Sequence, residues 1–145
     1  MKEQNCTFFG HRDCPDEVKD RLQKAVEAMI AQGVTHFYVG KEGRFDAAVR
    51  TVLRDIQKKH PHIRYEIVLA YLPQGEQSQT DTHTLFPEKL ATVPRRFAIF
   101  RRNEWMLQQS EFVVTYVTYS WGNAARWEQK ARKQGKTVVA LASIL

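Results

Sequence analysis

Apolar periodicity along the chain switches repeatedly between short continuous runs and helical stripes, and this alternation constrains the fold more than any single residue does. Residues 5–9, 35–40, 65–71, 111–118 and 137–141 read as five strands. A first helix opens at Pro15, with Asp16 and Glu17 in its first turn, and closes before Gly33. Its inner stripe is Val18, Leu22, Ala25, Val26, Met29 and Ile30. A second helix over 44–59 turns Phe45, Ala48, Val49, Val52, Leu53 and Ile56 inward and ends before Pro61. Helices over 95–110 and 123–134 complete the set, with Phe97, Phe100 and Leu107 as core residues of the third. Strands alternating with helices imply an α/β domain: a parallel sheet covered on both faces, in the three-layer doubly wound manner. The expected strand order is 3-2-1-4-5, so a binding crevice forms where the first and fourth strands diverge. The polar tract 73–94 shows no clear period and reads as a functional or disordered loop. No repeat or linker divides residues 1–145, which read as a single Rossmann-like domain.

The charge balance limits the partners. Twenty-two Lys and Arg against 16 Asp and Glu give a formal net charge of +6, which favours nucleotides, phosphates or nucleic acid. No run approaches the roughly 18 apolar residues of a membrane span, and no signal peptide opens the chain, so a cytoplasmic protein without a membrane partner is expected. Cys6 and Cys14 read as free thiols, and no Cys/His pattern completes a metal site. No cofactor is expected.

Three loops converge at the expected crevice. After the first strand, Gly10 allows close backbone approach, Arg12 offers a planar donor fork, and His11 can donate, accept or carry charge. The second loop sets Gly40, Lys41, Gly43 and Arg44 before a helix amino terminus, with Asp46 in its first turn. It has neither the Walker nor the dinucleotide spacing, which argues against ATP hydrolysis and ordinary NAD binding. At the third, Ser120 and Asn123 are helix-capping residues, Gly122 permits close approach, and Tyr119 and Trp121 can stack on a purine.

Together these loops resemble the YpsA-like branch of the SLOG superfamily, Rossmann-type domains that include the LOG phosphoribohydrolases and the DprA proteins. The resemblance spans nearly the whole chain; its most specific part is Gly10-His11-Arg12 combined with Gly40 and Asp46. It implies a nucleotide or nucleotide-derived ligand lying over Gly10, His11 and Arg12, with Gly40, Asp46 and Gly122 around it. Such relatives also carry an Arg-Asn pair like Arg102-Asn103, and they often pair as homo-oligomers through helices beside the crevice. The LOG enzymes carry a Pro-Gly-Gly-x-Gly-Thr-x-x-Glu signature. Aligning Glu128 with its last residue places Gly122 on the second glycine, while Ser120, Trp121, Ala124 and Ala125 replace other signature residues.

Three functions follow as expectations. The first is a sensor or binding module for a nucleotide-like small molecule. The second is a nucleotide N-glycosidic hydrolase in which Glu128 or Asp46 serves the ribose. The alternative place for Glu128 is the helix surface, beside Arg132 one turn on. The third is single-stranded nucleic-acid binding, motivated by the net charge and by Trp105, Trp121 and Trp127 as exposed aromatics. Arg95, Arg101 and Arg102 either reach a second phosphate or form a solvated basic face.

Overall fold

A computed structural model describes residues 4–72 and 83–143 of the chain. Strands Gln4–Gly10 (β1), Val34–Val39 (β2), Arg64–Val68 (β3), Thr84–Leu85 (β4), Phe112–Tyr116 (β5) and Thr137–Ala140 (β6) form one sheet in the order β4-β3-β2-β1-β5-β6. Every pairing is parallel. The connecting helices are Val18–Ala31 (α1), Gly43–Lys59 (α2), Ala98–Gln109 (α3) and Asn123–Lys133 (α4).

Strand alternation divides the core. Cys6, Phe8, Phe37 and Val114 pack with the inward stripes of α1 and α2, whereas Phe9, Tyr38, Val68 and Val113 pack with Met106 and Leu107 of α3 and Trp127 and Ala131 of α4. All six residues expected to line the inner face of α2 are buried. Each of the five larger ones, Phe45, Val49, Val52, Leu53 and Ile56, stabilises the fold by roughly 1.5–3 kcal/mol relative to its exposed state. β5 is buried at all five positions, as a central strand with both faces covered must be.

The doubly wound plan agrees with the sequence expectation, and the strand count does not. A sixth strand, β4, lies inside the tract read as a loop and extends the sheet beyond β3. Its pairing rests on the Ile67 amide donating to the His83 carbonyl at 2.7 Å and the Leu69 amide donating to the Leu85 carbonyl at 2.8 Å. Two residues carry no periodicity, so only a tertiary partner reveals such a strand. The same tract also holds the 3₁₀ turn Glu88–Leu90, and residues 73–82 of it lie outside the described residues. Arg95–Phe97 is a second 3₁₀ turn rather than the start of the third helix, and Phe97 is 47% exposed rather than core. At the first helix, Pro15 and Asp16 form a turn whose carbonyls accept from Val18 and Lys19, and the helix proper begins at Val18.

Cys6 and Cys14 are both buried and unbridged, and burial pushes both thiols up from their ordinary range. Among the described residues no helix is long and apolar enough to cross a membrane.

Candidate functional site

The strand order reverses its direction of growth between β1 and β5, and the carboxyl ends of these neighbours open a crevice. A cavity of about 260 Å³ occupies it. Its wall is built from the end of β1, the amino terminus of α2, the first half of α3 and the turn into α4.

At the end of β1 the Phe45 ring lies so close to Gly10 that a Cβ there would sit 2.4 Å from two ring carbons. The next amide, that of His11, still bonds to the Tyr116 carbonyl at 3.2 Å, which carries the β1–β5 pairing into the loop. The His11 ring is buried; its Nε2 accepts the Thr118 N–H at 2.9 Å, so its proton is assigned to Nδ1. Burial lowers its pKa, against opposing pulls from Glu128 and Asp13. His11 is therefore a neutral structural ring near neutral pH, not a phosphate-binding cation. Arg12 is exposed at the rim of the cavity. Gly43 is tight against it, because a Cβ there would lie 2.9 Å from Arg12 Cγ, and the Arg44 amide donates to the Arg12 carbonyl at 3.0 Å. These contacts fasten the first loop to the second.

Arg102 reaches into the second loop from α3. It donates to the Val68 carbonyl at 3.0 Å and to Asn103 Oδ1 at 2.9 Å, and it pairs with the Glu42 carboxylate. The Asp46 carboxylate accepts the Glu42 amide at 3.0 Å. Gly40 leaves room for this group, since a Cβ would lie 2.8 Å from Asp46 Oδ2 and 3.2 Å from the Arg102 guanidinium. Burial pushes the Asp46 carboxyl up to about 6, against the opposing influence of Arg102. A carboxyl whose folded pKa exceeds its ordinary value of 3.8 takes up a proton in the folded state first. Its contribution to stability is present below about pH 4 and lost as the pH rises through 6. The unfolding free energy of the native protein relative to Asp46→Asn should accordingly fall between pH 4 and pH 7. A pH-independent difference in denaturant titrations would refute this assignment.

The turn after β5 supplies the third wall. Gly122 has φ of +91° and ψ of 178°, a conformation open essentially to glycine alone, and it delivers the chain into α4. Among the described residues no side chain caps this helix, Ser120 and Asn123 included, so its first backbone N–H groups have no helical acceptor, and Asn123 and Ala124 of its first turn line the crevice.

Eight residues expected from the sequence thus line one cavity: Gly10, His11, Arg12, Asp46, Arg102, Tyr119, Gly122 and Asn123. Gly40 and Gly43 stand behind the wall as close-packing positions. Lys41, Arg44, Ser120 and Trp121 are exposed and outside the lining. Glu128 also lies outside it, and it is not on the helix surface: it is buried against β5, where its carboxylate accepts the Thr115 hydroxyl. Nor is Arg102 part of a solvated face, because its side chain is only 3% exposed. Trp127, expected to be exposed, is buried in the core with its ring 5.6 Å from that of Phe9. Sequence reasoning passed over Glu42, although it lies between Lys41 and Gly43, because an acidic residue does not fit an anion loop. In the structure it neutralises Arg102, so the hollow carries both signs of charge, and Arg12 with the α4 amino terminus remains for an anion.

Comparison with known proteins returns one kind of likeness. No family model and no curated protein sequence matches the chain. Its fold matches the crystal structure of DNA processing protein A (DprA) from Streptococcus pneumoniae, with a TM-score of 0.70 at 14% identity, over 99% of this chain and 52% of that one. The chain therefore spans about half the length of that protein, with which it shares a Rossmann-like α/β fold.

Proposed function

We propose that the chain is a SLOG-type domain of the YpsA-like kind that binds a nucleotide or nucleotide-derived ligand at the carboxyl edge of its sheet. The observation that carries this reading is the uncapped, glycine-led amino terminus of α4 opening with Arg12 onto one cavity at the β1–β5 divergence. Backbone N–H groups and the Arg12 guanidinium take the phosphate, while the Glu42 and Asp46 carboxylates offer acceptors to sugar hydroxyls.

A thermal-shift screen of nucleoside monophosphates, cyclic and linear dinucleotides and ADP-ribose tests the proposal. A ligand at a hundred times its Kd adds about 2.7 kcal/mol, which raises the Tm of a chain this size by roughly 5–10 °C. Arg12→Gln should weaken that response. A screen in which no compound raises the Tm sinks the reading.

A catalytic version is favoured by one observation: Asp46 lines the cavity with its carboxyl held at about 6, close to the working range of a general acid or base. In an N-glycosidic hydrolase this carboxylate, rather than Glu128, stabilises charge developing on the ribose. Release of free base from a nucleoside monophosphate, abolished by Asp46→Asn, is its signature. Single-stranded nucleic acid is the competing occupant, suggested by the fold shared with a DNA processing protein and by the net charge of +6. Affinity for an oligonucleotide that falls steeply with salt would favour it over a mononucleotide.

A further inference from the structure

Three aromatic rings stand in a row beside the cavity, and their order separates an inner surface from an outer one. The His11 and Tyr119 rings are stacked at 3.7 Å with 7° between their planes, and Tyr119 and Trp121 follow at 4.3 Å and 29°. His11 and Tyr119 line the cavity; Trp121 does not, and it is 69% exposed. The innermost ring is held by the Thr118 N–H, so the row is anchored from within. Among the described residues no other ring and no cation lies over Trp121. Trp121 also immediately precedes Gly122 and the amino terminus of α4, which puts an open indole next to the candidate phosphate position.

Trp121 therefore offers its outer face to solvent, outside the lining of the cavity and beside the turn that leads into α4. A base emerging past Tyr119 meets the indole, and a rigid aromatic platform beside a phosphate site is how proteins hold bases irrespective of their hydrogen-bonding edges.

We infer that Trp121 receives the nucleobase of the bound nucleotide on its outer side, with Tyr119 and His11 as rigid backing, so that the base is held by stacking outside the cavity. The inference rests on the nucleotide reading above and goes further by fixing which part of the ligand lies where. It also fixes a preference: purines, with the larger π-face, bind more tightly than pyrimidines.

Isothermal titration of the native protein, Trp121→Ala and Trp121→Phe with adenosine 5′-monophosphate, cytidine 5′-monophosphate and ribose 5-phosphate tests it. The side chain is exposed, so neither substitution threatens folding. The native protein should bind the adenine nucleotide about tenfold or more tightly than ribose 5-phosphate, with the cytosine nucleotide between them. Trp121→Ala should erase that margin and leave ribose 5-phosphate affinity within about twofold; Trp121→Phe should restore most of it. Unchanged adenine-nucleotide affinity in Trp121→Ala, or an equal loss for all three compounds, overturns the base assignment while sparing the nucleotide reading. A native protein that binds none of the three also overturns the base assignment, and the nucleotide reading then stands or falls with the thermal-shift screen of dinucleotides and ADP-ribose.

Discussion

Arg102→Met is expected to lower the unfolding free energy by about 3 kcal/mol, the lower end of the range for removing one partner of a buried ion pair. The guanidinium spans three elements, joining α3 to the carbonyl of Val68 at the end of β3 and to Glu42 ahead of α2. Deleting it leaves the Val68 carbonyl without that donor and the Asp46 carboxyl without the cation that restrains it. The lower end applies because the Glu42 side chain keeps 29% exposure, and water takes up part of the charge released. Arg102→Lys should recover part of the loss, since an ammonium cannot reproduce the planar fork. Urea titration checks both variants, and a loss below about 1 kcal/mol for Arg102→Met would mean that the pair does not organise the site. Removing Glu42 as well should soften the defect, because the unpaired carboxylate is then gone.

Gly10→Ala should cost about 1–3 kcal/mol through overpacking, and more if Phe45 finds no alternative rotamer. The added Cβ would lie 2.4 Å from ring carbons of a side chain that is itself fully buried, with the Tyr116 ring on a nearly parallel plane 6.2 Å away. Phe45 must move, and with it the first turn of α2 that carries Asp46. The variant should therefore lose nucleotide response as well as thermal stability. Gly10→Ala combined with Phe45→Leu should be less destabilised than the sum of the two changes, because each supplies the volume the other requires. Simple additivity in a double-mutant cycle would show that the close approach is not what fixes glycine at this position.

How much of this was legible in the sequence depends on the range over which each signal acts. Helices α1 and α2 are written in periodicity, so their inward stripes could be read residue by residue. The gathering of Gly10, Asp46 and Gly122 at one edge follows from topology, because parallel crossovers bring every strand-to-helix loop to the same side of a sheet. What stayed hidden depends on partners distant in the chain. Arg102 looks like one member of a surface arginine run until Glu42, 60 positions away, is placed against it. Glu128 reads as a helix-surface charge until Thr115 of the neighbouring strand supplies its hydrogen bond. Trp127 carries no mark of burial beyond helical spacing, and only the packing of Phe9 and Phe100 against it decides the matter. Counting cations near a loop likewise says nothing of which are already neutralised, as Arg102 is by Glu42.

The brevity of β4 bears on how the molecule behaves in a crowded solution. A long, flat sheet margin is a template on which another copy can align its backbone, and repeated joining of that kind leads to fibrils. Here the strand beyond β3 is only two residues long, which is too few to fix a register for an incoming chain. That border therefore offers little template to another chain, and it lies away from the crevice, which opens on the far side of β2 between β1 and β5.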